Sequence, residues 1–373
     1  MAQTINTNFI LLFSITHRRI LQLIGLAGII FLPAQANAVE PRFRPNQASM
    51  GDAEQTAFVN ALHSMKQTPA GSGISVYDTF VKIHADAMDD HTGHHGHGGG
   101  ANPAQAHMVP TFLPWHRQFI WEFETTLLAH DNTGLLTGLP YWNWALDQGP
   151  GSGPWGVNFL GGNGNPDNSN IVETGPFSPN SNWFLYDDPN EPLVRDFSQH
   201  FGLGTTTDIW RAMQVGQYDA APWDPSASIH ESFRNHLEGW GEDGPLLHNL
   251  GHVWVGGTMS DVSEAPFDPV FWMHHAFVDL IWSEWQLLYG LDNYLPEDMA
   301  LMGFGADDLL WEFGVLIGDT FDFSQYDGIG YEYESTTIVP EPSAYALMFG
   351  SIALLWAVRR RRSRGNVLFR GPC

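Results

Sequence analysis

The chain has 373 residues, of which 43% are hydrophobic and 13% aromatic, and it carries a formal net charge of −25 at pH 7. This composition is too apolar for a disordered chain. Cys373 is the only cysteine, which excludes an internal disulfide framework and a cysteine-based zinc site. Residues 39–338 hold 40 acidic and 8 basic residues, so they would repel DNA, RNA and anionic lipid, and we expect no nucleic-acid partner.

The N-terminal segment has the pattern of a secretory signal peptide. Arg18 and Arg19 precede an apolar run at residues 20–32, and Ala36-Asn37-Ala38 follows it. A positively charged region, a short apolar core and a small-residue A-x-A site are the three parts of such a peptide. The apolar run is too short to span a bilayer comfortably. We therefore expect residues 1–38 to be removed on export, with a buried helix as the alternative.

Helical periodicity dominates the body of the chain. Apolar residues recur at helical spacing over residues 54–66, 77–88, 116–130, 237–254 and 269–289. Pro269 suits a first helical turn and Asp268 its cap. Residues 145–190 are rich in Gly, Pro, Asn and Asp and predict a long irregular loop. Strand patterns are few and no linker is visible, so we expect one mainly α domain over residues 39–338.

The C-terminal segment has the pattern of a sorting or anchoring signal. Residues 343–358 form an apolar run, just under the roughly 20 residues that a bilayer span needs, and residues 359–362 are all arginine. By the positive-inside rule these arginines stay cytoplasmic. With the start Val339-Pro340-Glu341-Pro342, residues 339–373 resemble the PEP-CTERM sorting signal of Gram-negative bacteria. The resemblance implies processing by an exosortase and a protein in the periplasm, on the outer surface or outside the cell; a simple membrane anchor through residues 343–358 is the alternative.

Three histidines precede the long loop at positions that suit a metal site. His84 ends the segment TFVKIH on the second predicted helix, and His107 and His116 flank the segment MVPTFLPW. Pro110 and Pro114 predict an irregular approach to the third helix, with His116 at its start.

Three more positions at ligand spacing follow the loop. His248 and His252 lie four residues apart and therefore share one helix face. The segment HNLGH lacks the glutamate of HExxH, so a zinc protease would have no general base. The adjacent His274 and His275 point about 100° apart on a helix, so only one should face the same metal. Two groups of three neutral imidazoles, with no carboxylate or thiolate pattern, favour copper.

These segments resemble the two copper-binding signatures of the tyrosinase family. The resemblance lies in AHMVPTFLPWHRQFIWEFE, in HNLGHVWVGG and in DPVFWMHHAFVDLIW, with further matching blocks in NHLEGW and PYWNWALD. It extends from about residue 55 to residue 289 and implies a mainly α fold, in which a four-helix bundle with long irregular loops carries two copper ions. One copper ion would be bound by His84, His107 and His116, and the other by His248, His252 and His275.

The resemblance also implies an activity. Proteins of this family use O2 to hydroxylate monophenols at the ortho position and to oxidise o-diphenols to o-quinones. A phenol has a pKa near 10, so it needs help to lose its proton. In the family this help is assigned to a water held by a glutamate and an asparagine, which Glu238 and Asn249 match. Their structural alternatives are a helix-surface carboxylate and a local cap.

Three further positions bear on this interpretation. Val262 matches a gate position that is bulky in some catechol oxidases, so a small valine would leave the site open. Asp279 lies four residues after His275, where it could orient a ligand imidazole or a neighbour. Leu280 stands where the family often has arginine, which implies a missing ion pair. The histidines among residues 91–97 lie in a glycine-rich insertion, either a solvated loop or one that collects copper.

Two other functions stay open on this sequence. One is a catechol oxidase without monophenolase activity. The other is a non-catalytic oxygen- or copper-binding protein of the haemocyanin type, which usually covers its site with an added domain. Only about 49 residues separate Tyr289 from Ile338, which is too short for a large covering domain and favours an open, catalytic site.

Overall fold

The computed structural model describes residues 40–71, 73–92, 104–198, 201–295 and 303–334. The predicted signal peptide, the glycine-rich insertion after residue 92 and the predicted sorting segment lie outside these residues. None of the helices in the described ranges combines the length and apolar character that a membrane crossing requires.

The described residues form seven α-helices and only short strands. The helices are α1 (Asp52–Gln67), α2 (Val76–Thr92), α3 (Phe112–His130), α4 (Thr206–Met213), α5 (Phe233–Glu238), α6 (Leu247–Val255) and α7 (Val270–Tyr289). The strands are β1 (Arg42–Arg44), β2 (Trp240–Gly241), β3 (Gly244–Pro245), β4 (Leu309–Leu310), β5 (Val315–Leu316) and β6 (Tyr331–Tyr333). β1 pairs with β6 in parallel, and the other strands form two antiparallel pairs, β2 with β3 and β4 with β5. The predicted mainly α class is confirmed.

An aromatic core holds α2, α3 and α7 together. The rings of Phe123 on α3 and Trp272 on α7 stack with centroids 3.5 Å apart. Phe80 of α2 packs edge-on against both, at 5.3 Å and 5.8 Å. α7 is buried on almost every face between Val270 and Gln286, because α3, α6 and irregular segments all pack around it. Buried aromatic area of this kind is the main stabilising contribution of such a core.

Two helix boundaries differ from the sequence prediction. α3 begins at Phe112 rather than at His116, because Pro114 falls in the first turn, where its missing N–H leaves no bond unmade. The helix predicted over residues 237–254 is two helices. α5 ends at Gly239, whose φ of 105° is left-handed, and the β2–β3 hairpin separates it from α6.

The long connection between α3 and α4 is irregular, as predicted, and is anchored beside the bundle. Arg195 in this connection donates to both oxygens of Asp268, each at 2.7 Å, and to the carbonyl oxygens of Leu160 and Gly161. Asp268 in turn accepts from the Val270 N–H at 3.1 Å. The connection therefore fixes the residue that caps the start of α7.

Candidate metal centre

The helices bring the predicted histidines into two buried groups. His84 of α2, His116 of α3 and His107 of the loop before α3 form the first group, and His248 and His252 of α6 with His274 and His275 of α7 form the second. Within each group one nitrogen of every ring lies within 4.8 Å of those of the others. The two groups adjoin, because the rings of His116 and His275 stack with centroids 4.3 Å apart.

Backbone carbonyl groups determine which ring nitrogen faces inward. The Nδ1 of His116 donates to the Phe112 carbonyl at 2.9 Å, and that of His252 donates to the Met259 carbonyl at 2.8 Å. His248 Nδ1 lies 3.1 Å from the carbonyl oxygen of Glu238. His84 Nδ1 lies 3.3 Å from that of Ser263. An imidazole that donates from Nδ1 carries its lone pair on Nε2.

The inward nitrogens are placed as ligands of a shared cation. The Nε2 atoms of His248 and His252 are 3.1 Å apart, although both rings donate from Nδ1, so two lone pairs face each other. Such an approach is repulsive unless a cation lies between them, and imidazole nitrogens bind transition metals at about 2.0–2.1 Å. In the first group the Nε2 of buried His116 has no hydrogen-bond partner among the described residues. His84 and His107 bring their Nε2 atoms within 3.1 Å. The donor set therefore fits two transition-metal ions.

Burial keeps these rings neutral, which is the form that binds metal. Desolvation lowers the pKa of His84 to about 3 and that of His252 to about 4. Desolvation and then repulsion from neighbouring imidazoles lower the pKa of His107, His116 and His275 well below the ordinary value. Neutral nitrogen donors of this kind suit copper better than magnesium or calcium.

An apolar cavity of about 450 Å³ opens onto the histidines. His107, His248 and His252 lie at its base beside Asn249. Its walls are formed by Met88, Met108, Trp240, Pro245, Val253, Met259 and Val262. Val262, at the position compared above with a gate, is 45% exposed. The cavity is large enough for a single aromatic ring and its substituent.

Glu238 lies behind this cavity. Its carboxylate accepts from the Met108 N–H at 2.7 Å and from Arg234 at 2.9 Å, and one oxygen lies 4.0 Å from His107 Nδ1. Burial raises the pKa of the Glu238 carboxyl, against the lowering by Arg234 and by the Met108 N–H. Glu238 is fully buried, so it is not a helix-surface carboxylate. Its side chain holds the loop that carries His107, and its own backbone carbonyl oxygen accepts from His248 Nδ1.

Asn249 takes part in the same arrangement. Its side-chain oxygen lies 3.0 Å from His248 Nδ1, and the residue lines the cavity. Asn249 therefore contacts one member of the second group directly and faces the space where a small molecule would enter.

His274 lies closer to the metal centre than the sequence indicated. It fits into the notch left by Gly251, where an added Cβ would lie 2.4 Å from the His274 ring. It packs against His248 and His252, with ring centroids 5.1 Å and 4.9 Å away. The angle of about 100° between adjacent residues of a helix places His274 and His275 on different faces of α7. Both rings nevertheless lie close to His248 of α6, with centroids 5.1 Å and 4.8 Å away. Only His275 of the pair also stacks on the first group.

Asp279 does not contact a histidine, and its partners come from distant segments. Its two oxygens accept from Arg117 at 2.6 Å and from Arg44 at 3.0 Å, and the hydroxyls of Tyr331 and Tyr333 donate to it at 2.7 Å. The arginines that pair with Asp279 thus come from β1 and α3. Sequence spacing carried no signal for these partners, because Arg44 lies 235 positions away.

A helical bundle that encloses two adjoining groups of buried imidazoles defines a dinuclear copper protein of the type-3 class. A family model described as the common central domain of tyrosinase matches residues 74–288. The chain belongs to the tyrosinase family and is a copper oxidoreductase of the tyrosinase type, a type-3 copper phenol oxidase. Its cofactor is a pair of copper ions, and its substrates are phenolic.

Individual relatives support this assignment. The chain is 38% identical to a tyrosinase from Streptomyces antibioticus over 257 residues, covering 68% of this chain and 86% of that protein. It is 34% identical to grixazone synthase from Streptomyces griseus, covering 68% and 87%. The fold is similar to that of a polyphenol oxidase from Thermothelomyces thermophila, with a TM-score of 0.56, 22% identity and coverage of 79% and 89%.

Proposed function

We propose that this protein uses O2 to hydroxylate monophenols at the ortho position and to oxidise the resulting o-diphenols to o-quinones. In this proposal one copper ion is held by His84, His107 and His116 and the other by His248, His252 and His275. The observation that carries it is the pair of adjoining imidazole groups at the base of one apolar cavity. His275 is preferred to His274 because it alone of the two stacks on the first group.

The copper pair, when bound, supplies the binding of O2 and the oxidising chemistry. The chain supplies the geometry. Carbonyl groups orient four of the six proposed ligand rings through Nδ1 and so present Nε2 to the metal. The apolar walls formed by Trp240, Met259 and Val262 exclude water and hold the aromatic ring of the substrate above His107 and His248.

We assign the removal of the phenol proton to Glu238 and Asn249, acting through a water molecule. Asn249 lines the cavity beside His248, and the Glu238 carboxylate lies behind His107. A base in this place suits a monophenol, which must lose a proton with a pKa near 10 before it binds copper. Because this requirement is weaker for a catechol, the pair favours monophenol hydroxylation over the activity of a pure catechol oxidase.

The openness of the cavity favours catalysis over oxygen storage. Val262 and Val253, which line the cavity, are small and are 45% and 38% exposed, so the described wall of the cavity reaches solvent. A phenol can therefore reach the imidazole groups from solvent.

The sequence of the two ends adds a proposal about location. We propose that the protein is exported through residues 1–38 and that residues 339–373 act as a PEP-CTERM-like signal processed by an exosortase, in a Gram-negative cell. Mass spectrometry of the mature protein would test this. A mature chain that begins near residue 39 and lacks the arginine-rich tail is expected, and a chain retaining both ends would contradict it.

Metal analysis combined with two assays tests the proposed activity. We expect two copper ions per chain and oxidation of both a monophenol, followed by quinone absorbance, and a catechol. Oxidation of the catechol alone would identify a catechol oxidase. Two copper ions without either activity would identify a haemocyanin-like protein, and a single zinc ion without copper would contradict the metal assignment itself.

A further inference from the structure

We propose that this protein discriminates against phenols with a net negative charge and that neutral and cationic phenols are its preferred substrates. This inference rests on the proposed function and adds the charge of the substituent. It is carried by the cavity walls and by the way in which the chain uses its few basic residues.

The described lining of the cavity offers a carboxylate no cationic side chain outside the metal centre. Its described lining residues include no lysine, arginine, aspartate or glutamate. The polar side chains among them are the three histidines, Asn249, Ser260 and the indole of Trp240. A carboxylate brought into apolar surroundings without a cation or several hydrogen bonds loses its hydration without compensation. The substituent of a bound phenol is therefore expected to be uncharged, or to be a cation that stays near solvent.

The lysines and arginines elsewhere in residues 39–338 are not free to pair with a substrate carboxylate either. Residues 39–338 contain eight lysines and arginines, all of which lie in the described part of the chain. Every one of them forms an ion pair with a carboxylate of the protein. These pairs are Arg42–Glu124, Arg44–Glu124, Lys66–Asp78, Lys82–Asp86, Arg117–Asp279, Arg195–Asp268, Arg211–Asp208 and Arg234–Asp219.

Arg234 shows how complete this neutralisation is beside the site. It is the basic residue bonded to Glu238 behind the cavity, but it is fully buried and shared between Asp219 and Glu238. One guanidinium between two carboxylates leaves the group negative rather than positive. A substrate carboxylate would find no positive field there.

The surroundings of the cavity mouth are acidic. The β2–β3 hairpin lies between this cavity and a neighbouring one of about 920 Å³, and both are lined by Trp240, Pro245 and Val253. Glu242 and Asp243 at the tip of the hairpin are exposed and line the neighbouring cavity. With 40 acidic against 8 basic residues in 39–338, the field at the mouth repels an approaching anion and attracts a cation.

A matched set of catechols and phenols tests the inference on the copper-loaded protein at pH 7. The set is 3-(3,4-dihydroxyphenyl)propanoate, its methyl ester and dopamine, with the corresponding monophenols. The ester differs from the acid by one charge and little volume. We expect kcat/KM for the acid to be at least about tenfold below that for the ester at low ionic strength, as for steered association. We expect dopamine to be oxidised at least as efficiently as the ester.

A variant supplies the missing cation. Val253 is 38% exposed and lines both cavities, so Val253→Lys adds an ammonium group to the cavity lining. We expect this change to raise the acid-to-ester ratio of kcat/KM about fivefold or more, an effect that salt weakens. Val253→Met, the neutral control of similar length, should leave the ratio as in the parent. If Val253→Lys fails to fold, Val262→Lys tests the same point at another exposed residue of the lining.

The outcomes separate this inference from the proposed function. Efficient oxidation of the ester with a low acid-to-ester ratio supports both. Equal kcat/KM for acid and ester, within about twofold at low salt, overturns the inference and leaves the proposed function intact. No oxidation of any member of the set, by protein that contains two copper ions, overturns the proposed function and this inference with it.

Discussion

At four of the six proposed ligand histidines, the backbone determines which ring nitrogen is free for a metal ion. Phe112, Glu238 and Met259 each place a carbonyl oxygen against the Nδ1 of a histidine, which leaves Nε2 for a metal ion. The structure thus provides neutral, oriented donors from two helix pairs and one loop. A change at a ligand removes a donor, whereas a change at a neighbouring ring alters packing alone.

His274 and His275 allow this distinction to be tested at adjacent buried positions. We expect His275→Gln to lower the copper content from two ions per chain towards one and to abolish oxidation, because its ring adjoins both groups. His274→Gln is the matched control and should retain two copper ions. Atomic absorption on purified protein measures both. Retention of both ions in His275→Gln, or loss of copper in His274→Gln alone, would reverse the assignment.

Glu238 tests the proposed handling of the phenol proton. Glu238→Gln keeps an oxygen for the Met108 N–H but removes the negative charge that pairs with Arg234. We expect kcat for a monophenol to fall about 10²-fold or more, the usual contribution of a positioned base, while kcat for a catechol falls much less. Initial rates on protein shown to hold two copper ions measure the difference. Equal losses on both substrates would contradict the assigned role.

Between elements, the approach of α6 to α7 depends on the absence of a side chain at Gly251. A Cβ there would meet the His274 ring at 2.4 Å, so Gly251→Ala must displace this ring or separate the two helices that carry the second imidazole group. We expect destabilisation of about 1–3 kcal/mol, as for other overpacked interfaces, together with weaker copper binding. Thermal unfolding and metal titration measure these. Gly149→Ala, at a glycine with nothing within 4 Å of the added atom, should change neither.

The elements also show where sequence reasoning succeeds. Strong apolar periodicity correctly located α1 and α2, which each bury one wide face against the core, and a nearly continuous apolar pattern located α7, which is buried on almost every face. The predicted start of α3 at His116 was wrong, because Pro114 lies in the first turn of the helix, where a proline is tolerated. The prediction of one helix over residues 237–254 was also wrong. The pattern of apolar residues continues through Gly239, but the backbone at Gly239 is left-handed and α5 ends there.

Across the whole molecule, the sequence predicts the site residues that follow a local spacing, but it does not predict contacts between segments that are far apart in the chain. The six histidines follow from their motifs, and the structure brings all of them together. The partners of Asp279 on β1, α3 and β6 cannot be predicted from sequence motifs, because a pairing across 235 positions leaves no local pattern. Arg234 is an intermediate case, because Glu238 lies four residues away on the same helix, whereas Asp219 lies 15 residues away outside it. Four basic residues are placed by pairings across 73 or more positions, namely Arg42, Arg44, Arg117 and Arg195.

The ion pairs of Asp279 lead to a prediction about the stability of the whole molecule. They tie β1, α3, α7 and β6 into one buried group around Arg44 and Arg117, with Glu124 as the second partner of Arg44. Burial raises the pKa of the Asp279 carboxyl, but the two guanidinium groups and the hydroxyls of Tyr333 and Tyr331 outweigh it and hold the pKa below the ordinary value. A lowered folded-state pKa stabilises the protein above the unfolded value of about 3.9 and loses that contribution as pH falls through the folded value.

We expect Asp279→Asn to destabilise the protein by about 3–5 kcal/mol at pH 7, because two buried guanidinium groups lose a shared anion. The difference from the parent should be largest above pH ~4 and should narrow as the pH falls further, since the parent carboxylate is then protonated as well. Denaturant unfolding at a series of pH values from 7 down to 3 measures this. Asp86→Asn, which breaks an exposed pair with Lys82, is the matched control and should have little effect at any pH. A constant difference across the series would show that Asp279 contributes through packing and not through its charge.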